Sequence, residues 1–174
     1  MRPFTEPYVP AARVLHWTVA ILVLVVWPVG FVIGYVKDDV KPAFYLVHES
    51  LGFLVLWLMA VRLFVRVMNP PPPAPDRSPA VRYTSGTVHV LLYVALIAQA
   101  SLGFLATNAF GFPLEWFGLV TVWSPIGKSD ALAPLFGTAH YLLGWSILVL
   151  FALHMGGVLY HHVVKRDETL QRML

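Results

Sequence analysis

The sequence predicts an all-α integral membrane protein, a four-transmembrane-helix bundle with both termini cytoplasmic. Three observations carry that expectation. Of 174 residues, 58% are hydrophobic and only 12% are charged, about half the charged share of a soluble domain, and the mean hydropathy is +0.71. Four stretches with few or no charges are each long enough to cross ~30 Å of hydrocarbon as a helix. With four spans, nine of the twelve Lys and Arg residues fall on the side that holds the termini and the middle linker, which is the cytoplasmic side by the positive-inside rule. The chain therefore reads as one membrane domain, residues 1–174. Its net charge of +3 is a matter of topology and gives no sign of nucleic-acid binding.

The first span, residues 14–36, has no charge and contains Pro28, which is expected to kink it. No short apolar run with a small-residue cleavage site precedes it, so it is read as a retained span. The second, residues 42–66, opens after a polar turn and is interrupted by Glu49 beside His48; Arg62 and Arg66 close it. Residues 69–79 (NPPPPAPDRSP) are too rich in proline for a helix and form an extended cytoplasmic link between two helix pairs. The third span, residues 83–107, has His89 near its start. The connection that follows holds Trp116 and Trp123 and is expected to lie along the bilayer interface. The fourth span, residues 132–164, exceeds the bilayer's need, so its end is expected to overhang into water, followed by a polar tail with helical spacing. The helices read as two plus two; no sequence repeat is strong enough to claim.

The fourth span organises the rest, because it carries His140, His154, His161 and His162. Fourteen residues make nearly four helical turns, so His140 and His154 share a face about 21 Å apart. By depth, His48 and His140 form an outer pair, and His16, His89, His154 and His161 an inner group. Ionisable residues inside a span are costly and mark function. Two facing imidazoles in hydrocarbon suit haem, whose iron takes axial histidines and whose flat ring fills a bundle core. The absence of cysteine excludes thioether-attached haem, iron–sulfur clusters and thiolate metal sites. Two His-x-x-x-Gly segments, His48 to Gly52 and His140 to Gly144, place a glycine one turn deeper on the histidine's own face, leaving room for a porphyrin edge. Spacing alone leaves open whether His154 or His161 opposes His16.

His16-Trp17 at the first span, His48 in HESLG, RLFVRVMNPPPP after the second span, His89 at the third, His140 and His154 fourteen apart, and HHVVKRDETLQRML at the end together resemble the bacterial cytochrome b561 family, related to the di-haem cytochrome b subunits of nickel–iron hydrogenases. The resemblance implies a bundle in the bacterial inner membrane with two haem b groups. His48 and His140 would ligate the outer iron, and His16 and His154 the inner one. His89 and His161 would sit at a cytoplasmic-side quinone site, with ubiquinone as substrate. Arg13 is expected to pair with haem propionates, and Gly52 and Gly144 to line the haem. Some members are superoxide oxidases, so the donor on the periplasmic side is expected to be superoxide or a soluble redox protein. The alternatives are a cytochrome b anchor of a larger oxidoreductase and, from another class, a haem-free transporter.

Overall fold

The computed structural model describes residues 6–72 and 78–174; Arg2 and Arg77, counted above for topology, and residues 73–77 of the expected proline-rich link lie outside them. Four long helices form the molecule: α1 (Pro10–Val32), α2 (Lys41–Met68), α3 (Pro79–Ala109) and α4 (Leu132–Leu159). With the turn that extends α4, all four are long and apolar enough to cross a membrane.

Proline sets three of the helix starts. Pro10 and Pro79 are first residues and Pro42 a second residue, positions where the missing N–H costs nothing and the fixed φ already suits a helix. Pro28 lies inside α1, yet the helix continues to Val32. Helices α1 and α2 pack as a pair, α3 and α4 as another, and α2 and α3 join the pairs; the backbones of α1 and α4 stand further apart. Val19, Val55 and Met59 form the mid-bundle core, with Leu22, Val23, Tyr93 and Leu96 packed around them. Much of the remaining apolar surface, such as Ile21, Trp57, Phe64 and Val94, is exposed, as expected where lipid is the solvent.

The long connection folds into a small hairpin, β1 (Glu115–Trp116) and β2 (Val120–Thr121). Phe117 and Gly118 turn it with φ of 52° and 69°. The hairpin is seated on α2: the Phe117 N–H donates to Ser50 Oγ at 2.7 Å and the Trp116 indole to the Ser50 carbonyl at 3.2 Å. Nearby Leu119 and Trp123 are 82% and 81% exposed, suited to the bilayer interface.

The other end of the bundle holds both termini. Here the structure departs from the sequence expectation of a helical tail projecting from α4. The helix loosens into a π-turn over Tyr160–Lys165, and Arg166 then adopts a left-handed φ of 50° that reverses the chain. The last residues fold back as a strap. Arg172, only 5% exposed, donates to the carbonyls of Glu6 (3.1 Å) and Pro72 (2.7 Å). The Tyr8 N–H bonds the Arg172 carbonyl, and the Trp17 indole bonds the Met173 carbonyl. One buried guanidinium thus ties the tail to the N-terminal segment and to the edge of the proline-rich link.

Candidate haem sites

At the hairpin end, His48 on α2 and His140 on α4 face each other with ring centres 6.0 Å apart and planes nearly perpendicular. Each Nδ1 lies at a main-chain carbonyl of the neighbouring helix: His48 on Val26 (3.0 Å) and His140 on Gln99 (2.9 Å). A carbonyl only accepts, so Nδ1 carries the proton and Nε2 keeps its lone pair. That tautomer is the one a metal requires, with the second nitrogen fixed by a backbone acceptor. The Gln99 side-chain amide donates to His140 Nε2 at 3.2 Å, in keeping with a lone pair there, while its Oε1 is buried without a partner.

Two glycines make this arrangement possible, on helices that carry neither histidine. A methyl group on Gly30 would collide with the His48 ring, at 2.8 Å from Nδ1, and one on Gly103 would stand 2.8 Å from His140 Cε1. Gly52 has open space beyond it. A methyl group on Gly144 would stand 3.3 Å from the Gln99 amide nitrogen, and the Gly144 carbonyl accepts from the Trp27 indole at 3.0 Å.

At the termini end four groups converge, one from each helix. The ring centres of His16 and His154 are 6.2 Å apart, and those of His89 and His154 5.3 Å. Arg62 Nη2 approaches His16 Nδ1 at 2.7 Å, with its guanidinium over the Tyr93 ring at 5.0 Å. His161 finds partners elsewhere. It lies in the π-turn, with Nδ1 2.6 Å from Asp167 Oδ2 and 3.3 Å from Thr169 Oγ1. Arg13 reaches the strap, donating to the Leu174 carbonyl at 2.9 Å.

These pairs fit haem. An iron clasped by two imidazoles holds the ring centres about 6 Å apart, given metal–nitrogen bonds of ~2 Å on each side. Both His48–His140 and His16–His154 meet that separation. Among the described residues no three His, Cys, Asp or Glu side chains gather to hold a metal ion, and a porphyrin needs only two from the protein. The pattern of the prokaryotic cytochrome b561 family matches residues 8–174. The chain belongs to that family. As a prokaryotic cytochrome b561 it is a bacterial membrane cytochrome that transfers electrons by means of b-type haem.

Among characterised relatives, the chain is 34% identical over 173 residues to cytochrome b561 homolog 2 of Escherichia coli K12, covering 97% of this chain and 92% of that one. It is 29% identical over 161 residues to the probable superoxide oxidase CybB of Yersinia pestis, covering 92% and 91%. Cytochrome b561 homolog 1 of E. coli K12 is 25% identical over 170 residues, with 92% of each chain covered.

Sequence reasoning missed several residues of these sites. Gly30, Gly103 and Gln99 act across a helix interface, and spacing along the histidines' own helices does not reveal them. Arg62 was read only as a span-closing charge, whereas its side chain touches an inner histidine.

Proposed function

We propose that this cytochrome b561 holds two haem b groups, one above the other, and carries electrons across the bacterial inner membrane between a periplasmic donor and quinone. His48 and His140 would hold the haem iron at the hairpin end, and His16 and His154 would hold it at the termini end. The observation that carries this reading is the repeated 6 Å separation of imidazoles at two levels of one bundle. Bound there, haem would supply reversible one-electron chemistry, and with both imidazoles of a pair given to one iron the chain would serve electron transfer.

The chain's own residues define the rest. The Val26 and Gln99 carbonyls orient the hairpin-end imidazoles, while Gly30 and Gly103 let helix and ring approach. With fourteen residues between His140 and His154, the two levels lie about 21 Å apart along α4. The distribution of basic residues supports a cytoplasmic termini end. There His89 is free of a ligand role and available to hydrogen-bond a quinone carbonyl. His161, held by Asp167 near the helix end, is the second such group, and a neutral imidazole can both donate and accept. Arg13, which here donates to the Leu174 carbonyl, and Gly144, whose carbonyl accepts from the Trp27 indole, are the further residues proposed for the haem edges, with Gly52. Superoxide is the proposed donor, supported by the similarity to the probable superoxide oxidase of Y. pestis; a soluble redox protein is the other source of electrons.

The test is a spectrum and a count. Purified protein is expected to show low-spin b-type bands that sharpen with dithionite, and about two haems per chain on extraction. Superoxide should then reduce the haems, and a quinone analogue reoxidise them. A folded protein without visible absorption contradicts the proposal. Haem reduction by dithionite but never by superoxide removes that donor and leaves a soluble partner.

A further inference from the structure

The two helix pairs match more closely than an arrangement of two plus two requires. The glycine contacts reveal the match. His48 packs on Gly30 and bonds the carbonyl four residues before it; His140 packs on Gly103 and bonds the carbonyl four residues before that. Aligned on those contacts without a gap, α1 and α3 share a histidine fourteen residues before a Gly-Phe pair: His16 to Gly30-Phe31, and His89 to Gly103-Phe104. Likewise α2 and α4 share P-x-F-x3-H-x2-L-G-x3-L-x-L-x-A, beginning at Pro42 and at Pro134, so that eight of nineteen positions are identical. The chain therefore carries an internal repeat that its apolar composition hides.

The repeat relates His48 to His140, and these two form a pair between equivalent positions. It also relates His16 to His89, and Arg62 to His154, since both of the latter lie fourteen residues beyond the paired histidine. The His16–His154 pair therefore has a twin made of His89 and Arg62. All four groups meet at the termini end. The twin differs from a ligand pair in one residue: it offers a guanidinium, which has no lone pair for a metal. The packing is asymmetric in the same sense, since α2 and α3, which carry the twin, lie against each other, whereas α1 and α4 are further apart. Arg62 also has no carboxylate partner among the described residues; it bonds His16 and lies over the Tyr93 ring.

We propose that the protein is a fused pair of two-helix haem-binding units and that Arg62, occupying the place of a second inner histidine, is the residue that assigns the termini-end haem to His16 and His154 instead of to His89 and position 62. This rests on the two-haem reading above. A duplicated unit with histidine at all four inner positions would offer two overlapping ligand pairs in one crevice; the arginine removes one pair. It also frees His89 from iron, leaving it for other chemistry.

The experiment is haem counting by extraction, with electron paramagnetic resonance of the ferric protein. His154→Ala is expected to lower the count from about two to about one. Adding Arg62→His to it should restore about two, with a second low-spin bis-histidine signal. Adding His89→Ala to that double variant should return the count to one, because the restored pair uses His89. The hairpin-end haem reports folding in every variant. If His154→Ala still binds two haems, the ligand assignment falls and this proposal with it. If that variant binds one and the double variant also binds one, only the proposal is overturned. Should the double variant lose both haems, the equivalent rescue in His16→Ala decides: restoration by Arg62→His supports the proposal, and none overturns it.

Discussion

The two ends of the bundle use the same residue type at the same helical spacing and reach different states of readiness. At the hairpin end, each histidine is seated against a glycine and locked by a carbonyl, with the same local geometry on both helices. At the termini end, three histidines and an arginine share the space; His16 has a guanidinium at Nδ1 where the other end has a carbonyl. That end is also strapped by the tail, whereas the hairpin end is closed by a short turn of chain on Ser50. The comparison teaches that a histidine becomes a ready ligand through what touches its other nitrogen. Depth and spacing alone do not make it one. The hairpin end is preorganised. At the termini end, a guanidinium on His16 takes the place of the carbonyl, so that imidazole is not held in the same ready state.

Removing the space under the hairpin-end rings should have the largest effect. Gly30→Val or Gly103→Val drives a side chain into an imidazole and is expected to abolish the hairpin-end haem, lowering the count from about two to about one. The termini-end spectrum should persist. Loss of both haems together would show that the two ends are not independent.

A smaller effect is expected from the strap. Arg172→Ala deletes two charge-assisted hydrogen bonds from a buried guanidinium, an effect of about 3–6 kcal/mol given ~1.5–3 kcal/mol for each bond to a charged group. The cost should appear as faster proteolysis of the tail and a lower midpoint of thermal unfolding in detergent, with the hairpin-end haem spectrum unchanged. A variant as stable as the parent would mean that the strap contributes nothing.

These contrasts also mark what the sequence could disclose. The four helices, and the grouping of His48 with His140 and of His16 and His89 with His154, were legible because apolar length and a fourteen-residue spacing are properties of single helices. The glycines under the rings were not, because Gly30 serves a histidine on α2 and Gly103 one on α4. His-x-x-x-Gly pointed to Gly52 and Gly144 on the histidines' own helices, while the closest ring contacts come from the neighbouring ones. The repeat was masked because leucine and valine fill both halves and the two pairs are joined by connections of different length. The tail read as helical from its spacing, but spacing does not register a left-handed residue such as Arg166, nor a buried arginine that finds its acceptors in distant carbonyls.

The smallest expected effect is a pH response confined to the termini end. Burial alone would raise the Asp167 carboxyl, but hydrogen bonds from Thr169 and His161 outweigh it and hold the group below its ordinary value. A depressed carboxyl stabilises the fold above its unfolded value of ~3.9, and that contribution is lost as pH falls through the lower folded value. The turn around His161 should therefore loosen only in acid, below about pH 4, as seen by proteolysis of the tail. Asp167→Asn should remove that acid step and slow quinone reduction without changing the haem count. An unchanged acid step in Asp167→Asn would place its origin in another carboxyl.

The central claim is that two separate histidine pairs each clasp an iron at its own level. Electron paramagnetic resonance of the oxidised protein tests it most directly, read for His140→Ala and His154→Ala beside the parent. Two distinct low-spin ferric signals are predicted in the parent, with a different one missing from each variant. A single signal in the parent, or the same signal lost from both variants, would contradict the account.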